Sequence, residues 1–384
     1  MRILIAIGVP RQKEAGAAGV VLNHARELET LGHEVECWFL DDILERTGKS
    51  KRFDALQFSL AIAKRIRKDP SRFAVVNLHA PWGCAYGWQR AWNSGKGWPP
   101  YVLTMQGSEE RFVEAMKLEN QKGRAANFGW KNRAWHRLFH QTMYDISIRK
   151  ANYGVVANRE AWVLAELKYG KKPGEFVFIP NGTEERFFCQ REYANPSTLR
   201  ILYVGTWIDR KGTFYLAEAF EILAEKYAGI GLTVAGSGVS EEEVRKSFAP
   251  QLRERVTVIP FISREQIPNL YASHDIFAFP SLVEGMPLTL LEAMASGMPV
   301  VTTNSSGMAD VVEDEFNGLL VEPANSQELA RAIAELCESR EFREKLGLQG
   351  QNTARRYTWT GVVRKLEKVL LRAAADGGSR PTPR

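Results

Sequence analysis

"DIFAFPSLVEGMPLTLLEAMASGMPVVTT", residues 275–303, contains a strand, a loop, a helix and a second strand in order. Residues 275–280 are apolar without alternation, as in a strand covered on both faces. Residues 281–285 form a loop at its carboxyl end. Pro287 suits the first turn of a helix, because it donates no amide hydrogen where none is needed. The apolar run 287–296 is that helix, and residues 298–303 are another buried strand. Strand, helix and strand in succession make a β-α-β unit, so the fold class is α/β with parallel sheets.

The same pattern extends to both ends of the chain. In the first half "RILIAIG", "EVECWFL", "FAVVNLH", "YVLTMQG", "NYGVVAN" and "EFVFIPN" read as strands. Residues 17–31, 54–67 and 158–168 read as helices, their apolar positions recurring at three or four. In the second half "LRILYVG", "GLTVAG", "RVTVIP", "DIFAFP", "MPVVTT" and "NGLLVEP" are strands, with helices near 213–226, 287–296, 326–337 and 341–374. Polarity rises at residues 189–198, where Asn195-Pro196 disfavours helix. Two Rossmann-like, doubly wound domains are therefore expected, over 1–190 and 198–355. The helix 358–374 is expected to pack back on the first domain, with 376–384 as a disordered tail. Open parallel sheets bind ligands beyond the carboxyl ends of their strands, so the site is expected in a cleft between the domains.

Length supports the division, since 384 residues exceed what one core organises. The four cysteines lie far apart with no C-x-x-C pair, which argues against a disulfide framework and fits a reducing cytoplasm. No segment approaches the ~20 apolar residues of a membrane span, and the apolar run after Met1-Arg2 is too short for a signal peptide. Residues 1–150 carry 24 Lys+Arg against 15 Asp+Glu, a net +9; the remainder carry 27 against 30, a net −3, which together give the chain's +6. The front half therefore either meets an anionic surface or substrate or simply keeps a solvated basic face. Within it, residues 130–150 and 51–68 mix apolar and basic side chains as interfacial membrane helices do. Their alternative is to pack the apolar stripe on the sheet. No nucleic-acid partner is expected.

Glu284 and Glu292 stand eight residues apart around the start of the 287–296 helix. The amides of Leu288 and Thr289 have no partner one turn back, and with the helix dipole they can receive a phosphate. Gly285, Met286 and Pro287 lead the chain into that anion site. Carboxylates on either side can accept hydrogen bonds from a sugar and from ribose hydroxyls, which brackets a sugar diphosphate. The competing reading makes Glu284 an ordinary loop residue and Glu292 a buried carboxylate satisfied by backbone.

"EGMPLTLLEAMASGMPVVTT" resembles the family-4 retaining glycosyltransferases, with Glu284 and Glu292 matching their E-x7-E motif. "AGAAGVVLNHARELETLGHEV", "FIPNGTEERF" and "NGLLVEPANSQELARAI" resemble the family's first glycine loop and helix, interdomain segment and C-terminal end, so the resemblance covers nearly the whole chain. It implies a GT-B fold and transfer of a sugar from a nucleoside diphosphate sugar to a glycan or lipid-linked acceptor, with retention. It also assigns "LYVGTWIDRKG": Gly205 turns close to the donor, Lys211 reaches phosphate oxygens, and Thr206 stands where the family usually has arginine, with Arg210 as a substitute cation. Gly16 would let the backbone pass near the diphosphate, and Gly236 would border the nucleotide. His79 and Gln106 are candidate sugar or acceptor contacts, although many relatives carry histidine where Gln106 stands.

Glu284, Lys211 and Glu292 are thus the candidate catalytic residues. No cofactor is expected. There is no Asp-x-Asp and no cluster of His/Cys ligands in the sequence, so a metal is not required. Thr206 and Gln106 keep open a second reading, a nucleotide-sugar-binding or scaffold subunit with weak catalysis. A pyridoxal-phosphate phosphorylase of the same general fold is a third, and nothing local demands that cofactor.

Overall fold

The structure is a computed structural model and describes residues 1–11, 16–44, 53–125, 128–193 and 198–379. Residues 51–52, part of the break at 194–197 and residues 380–384 of the expected tail lie outside the described residues. The chain forms two compact units. One comprises Met1–Glu110, Asn127–Asn181 and Trp359–Arg384; the other comprises Arg111–Ala126 and Gly182–Thr358.

In the first unit six strands, β1 (Arg2–Ala6), β2 (Glu34–Trp38), β3 (Val75–His79), β4 (Tyr101–Met105), β5 (Tyr153–Val156) and β6 (Phe176–Phe178), form one sheet in the order β2-β1-β3-β4-β5-β6. All neighbouring pairs are parallel. Helices α1 (Gly16–Thr30), α2 (Leu40–Ile43), α3 (Asp54–Lys68) and α4 (Cys84–Trp92) connect its first strands. Next along the chain come α5 (Glu109–Gln121), of which only the first two residues belong to this unit, α6 (Trp130–Trp135), a π-helical turn over His136–Gln141, α7 (Thr142–Lys150) and α8 (Arg159–Leu167). Contiguous apolar runs form these strands because both faces are covered: Val75, Val76, Leu78, Tyr101, Val102, Leu103 and Met105 are fully buried.

In α3, Phe58, Ile62, Ala63 and Ile66 are buried. This corrects the interfacial reading of 51–68, since the stripe meant for lipid lies in the core. Residues 130–150 differ, with Trp130 70% and Leu138 67% exposed.

The second unit repeats the scheme with β7 (Arg200–Val204), β8 (Gly231–Ala235), β9 (Val256–Ile259), β10 (Ile276–Phe279), β11 (Val300–Thr303) and β12 (Leu319–Val321). Its order, β12-β11-β10-β7-β8-β9, is that of the dinucleotide-binding fold read from the far edge, and again every pair is parallel. The helices are α9 (Thr213–Lys226), α10 (Glu241–Arg245), α11 (Ile267–Ala272), α12 (Leu288–Ala295), α13 (Ser306–Ala309), α14 (Ser326–Glu338) and α15 (Arg340–Ala354). Together the two sheets make the α/β GT-B fold.

The unit boundaries differ from a single division near residue 190. Residues 111–126 belong to the second unit, where buried Glu119 accepts a 2.6 Å hydrogen bond from Tyr215 and Arg124 lies 3.8 Å from the Phe214 ring centre. The helical stretch read over 341–374 consists of α15 and α16 (Trp359–Ser379), the second starting beside the residue where the separate helix 358–374 was expected to begin. The latter belongs to the first unit, where Trp359 meets the His24 ring edge-on and Glu367 bonds His33 at 2.8 Å. Residues 376–379 of the expected tail are helical instead, because α16 continues through Ser379, and Asp376 accepts a hydrogen bond from Tyr153.

Candidate active site

The strand order of the second sheet turns between β7 and β10, so the loops leaving their carboxyl ends flank the place where such folds take ligands. These loops are fastened to each other. The Leu282 amide and Ser281 hydroxyl both donate to the Arg210 carbonyl, at 2.9 and 3.2 Å, and Arg210 Nη1 donates to the Val283 carbonyl at 2.9 Å. Gly212 makes the close approach possible. At φ 69° a side chain is strained, and a Cβ there would lie 1.9 Å from the Pro280 carbonyl oxygen. On the other side Thr303 and Ser305 donate to the carbonyls of Ser281 and Leu282, at 2.5 and 2.8 Å.

That frame holds Glu284. One oxygen, Oε1, receives Arg210 Nη1 at 2.6 Å, Lys211 Nζ at 2.7 Å and the Ser281 hydroxyl at 2.8 Å, with the side chain only 11% exposed. Arg210, read from the sequence as a substitute cation, converges with Lys211 on the same carboxylate. Both belong to the 3-10 turn Asp209–Lys211, and their long side chains reach across to the fastened loop. Burial works to raise the Glu284 carboxyl, but the charges of Lys211 and Arg210, with hydrogen bonds from Lys211 and Ser281, hold it below the ordinary glutamate range. Lys211 shows the opposite balance. Burial lowers its ammonium below the usual lysine value although Glu284 opposes it.

Past the Glu284 loop, Pro287 occupies the helix cap, one position before the first turn where the sequence placed it. Its ψ of 122° is extended, and its carbonyl accepts the Leu291 amide. No side chain caps α12, so the amides of Leu288 and Thr289 begin the helix with its positive dipole end. Gly285 and Met286 lie between Glu284 and that cap. Gly307 packs beneath them, where a Cβ would come 1.6 Å from the Gly285 carbonyl oxygen.

Glu292, one turn into α12, is buried. Its partners are side chains, not the backbone: Tyr271 Oη lies 3.2 Å from Oε2 and Arg264 Nη2 lies 3.5 Å from Oε1. Arg264 also donates through Nε to Glu184 at 3.1 Å. Burial raises the Glu292 carboxyl despite the Arg264 charge and the Tyr271 hydrogen bond. Arg264, Tyr271 and Ser281 were missed by the sequence reading. A buried glutamate signals that a cation must be nearby, but not which of 51 basic residues it is.

The third loop, after β8, adjoins the first. Gly205 donates to the Ala235 carbonyl at 2.9 Å and Trp207 to Ser237 at 2.8 Å, while Gly236 takes φ 69°. A Cβ on Gly238 would touch Thr206 at 3.6 Å. Gly205, Thr206, Arg210, Lys211, Gly236 and Glu284–Thr289 thus line loops that contact one another.

In the first unit, Gly16 opens α1, is exposed, and has no atom within 4 Å of a built Cβ. Gln106 follows β4 and is half-buried. His79 is a correction. It has no exposed surface, neither ring nitrogen has a hydrogen-bond partner among the described residues, and burial, with His24 nearby, pulls its pKa to about 3. A neutral imidazole so enclosed is a core residue and not a surface contact for sugar or acceptor.

Residues 187–353 match the family of glycosyl transferases group 1. Glu284, Lys211 and Glu292 all fall inside this group 1 segment. An uncharacterized glycosyltransferase of Haemophilus influenzae is 35% identical over 154 residues, 36% of this chain and 43% of that protein. The chain thus aligns with less than half of that relative's length. Among solved structures, sucrose-phosphate synthase from Thermosynechococcus elongatus superposes with a TM-score of 0.76 at 18% identity, covering 98% of this chain and 99% of that one. HepE of Anabaena, solved in complex with UDP-glucose, gives 0.70 at 17% identity, covering 97% and 100%. At such identities the likeness shows the fold, and both neighbours carry the GT-B arrangement.

Proposed function

We propose that this protein transfers a glycosyl group from a nucleoside diphosphate sugar to an acceptor hydroxyl, with retention of anomeric configuration. The observation that carries the reading is the convergence of Lys211 and Arg210 on Glu284 beside the uncapped start of α12. Two cations and a helix N-terminus form a site for a diphosphate, and Arg210 supplies the second charge that Thr206 cannot.

As the bond from sugar to phosphate lengthens, negative charge grows on the leaving diphosphate. Lys211, Arg210 and the amides of Leu288 and Thr289 would stabilise it, with one such preorganised donor worth about 3 kcal/mol. Bound phosphate would share both cations with Glu284 and free that carboxylate to accept a sugar hydroxyl. Glu292 uses only part of its acceptor capacity on Tyr271 and Arg264, and would take a ribose hydroxyl. The acceptor would attack from the leaving-group face and lose its proton to the departing diphosphate. No step calls for a metal at the diphosphate. The HepE complex with UDP-glucose supports a uridine donor as the first to be tried.

A lipid-linked acceptor is favoured by the segment 130–150. Trp130 and Leu138 are exposed there among Lys131, Arg133 and Arg137, the mixture that lies well in a headgroup layer. Among the described residues no helix is long and apolar enough to cross a membrane, so attachment would be at the surface. Flotation with anionic liposomes tests this; protein left at the bottom of the gradient refutes it. For the chemistry, the protein is incubated with UDP-, GDP- and ADP-sugars, and nucleotide release and the anomeric proton coupling of the product are measured. Donor affinity without turnover in the presence of acceptor lipid extract would refute the enzyme reading.

A further inference from the structure

The sequence shows no cluster of metal ligands, yet the fold of the first unit assembles one from two distant stretches. We propose that Glu109, His136 and His140 bind one divalent first-row transition-metal ion, with zinc as the reference ion. His136 and His140 are four residues apart in the π-helical turn that joins α6 to α7, and their rings lie tilted by 46° with centroids 4.7 Å apart. Glu109, the first residue of α5, brings Oε1 to 2.8 Å from His136 Nδ1 and 3.1 Å from His140 Nδ1.

The three side chains are between 11% and 24% exposed, and their ligand atoms all lie within 4.8 Å of one another. With bonds of about 2.0–2.1 Å, the ligand atoms of a tetrahedral zinc centre stand about 3.3 Å apart. The two contacts to Glu109 are close to that spacing, so small adjustments close the site.

Unsatisfied ligand atoms distinguish this cluster from an ordinary ion pair. Glu109 Oε1 and His140 Nδ1 are buried and 3.1 Å apart, and neither has a hydrogen-bond partner among the described residues. Lone pairs that converge without a proton directed between them are the arrangement a cation completes. Two imidazoles and one carboxylate suit zinc, cobalt, nickel or iron(II) and not calcium or magnesium, which take oxygen ligands. The surroundings are apolar: Trp135 stacks on Phe139, Phe53 meets both edge-on, and Phe128 meets His136 edge-on.

The ion would clasp the start of α5 to the helical run 130–150. That run already holds the intervening loop, since Tyr144 of α7 donates to the Gly107 carbonyl beside Gln106. The role is structural, and the site belongs to the first unit whereas Glu284, Lys211 and Arg210 belong to the second.

The test uses the full chain with any affinity tag removed, stripped with chelator and titrated with CoCl2 and then ZnCl2. One Co2+ per chain should bind with visible d–d absorption that Zn2+ abolishes, and either ion should raise the melting temperature. His140→Ala and Glu109→Gln should weaken Co2+ binding by about 100-fold or more, beyond what loss of an outer-shell partner costs. His33→Ala, which removes a histidine hydrogen-bonded to Glu367, should leave it unchanged. Circular dichroism establishes that each variant is folded. Absence of stoichiometric Co2+ absorption in the unmutated protein overturns the proposal without reference to any variant. Equal binding in folded Glu109→Gln and His140→Ala overturns it as well.

Discussion

Replacing Lys211 by alanine tests the heart of the proposed site, because the proposal makes Lys211 answer for chemistry while its ion pair with Glu284 makes it answer for stability. Its ammonium lies 2.7 Å from a Glu284 oxygen, and both side chains are nearly enclosed. Removing one partner of a buried ion pair outright costs about 3–5 kcal/mol. Here Arg210 and Ser281 remain on the same oxygen at 2.6 and 2.8 Å, so about 2 kcal/mol is expected, or roughly 4–8 °C for a unit of this size. The pH dependence gives a sharper signature. In the unmutated protein Glu284 sits below its ordinary value, so the folded state binds fewer protons than the unfolded state as pH falls toward that value. Its contribution is therefore full above the ordinary glutamate range and lost as pH falls through the depressed folded value. Without Lys211, burial meets one charge fewer, the folded carboxyl moves up, and the acid-side gain in stability shrinks. Melting curves from pH 3 to 7 should thus show the two proteins converging as pH falls. Nucleotide release should drop about 100- to 1,000-fold, the effect of losing one preorganised donor to developing charge. A constant melting difference across that range, or turnover within about twofold of the unmutated protein, would refute the proposed placement of Lys211 between carboxylate and diphosphate.

Glu292→Gln is expected to remove a pH dependence of opposite sign. The folded carboxyl is raised by burial, so its ionisation erodes stability as pH rises from the ordinary glutamate value toward the raised one. The variant should lack that decline while losing nucleotide release, and a melting-versus-pH profile identical to the unmutated protein's would exclude the assignment. Gly212→Ala forces a side chain to φ 69° and into the Pro280 carbonyl, so it should cost more than about 1–3 kcal/mol and weaken donor binding in a thermal-shift assay. Tyr215→Phe removes the 2.6 Å hydrogen bond to buried Glu119 and should destabilise the second unit by about 1–3 kcal/mol, measured by urea denaturation. A bound donor at 100 times its Kd should add about 2.7 kcal/mol to stability, and the sugar nucleotide giving the largest shift identifies the base.

The twelve strands of the described residues were visible in the sequence, most of them because a parallel strand covered on both faces is apolar at consecutive positions, a signal local to the strand, whereas the edge strand β2, EVECW, is half-exposed and alternates. The same locality explains Glu284 and the start of α12: strand, loop, proline and helix follow one another in a single stretch. What escaped were pairings between distant stretches. Arg264 and Tyr271 approach Glu292 across more than 20 residues, and no periodicity in any of the three stretches announces the meeting. Residues 111–126 were assigned by their place in the chain, but the Glu119–Tyr215 hydrogen bond, 96 residues long in sequence, sets them among the second unit's helices. Arg210 was named only as a substitute cation, and its meeting with Glu284 depends on a 3-10 turn that carries two long cations toward a loop that Gly212 lets come close. His136 and His140 show the boundary most clearly. Their spacing of four is legible on its own, but it acquires chemical meaning only when the chain returns Glu109, 27 residues before His136, to the same point. Sequence reasoning therefore recovers groups whose function follows from their own neighbourhood, and a charge that depends on a remote partner has to be found in the fold.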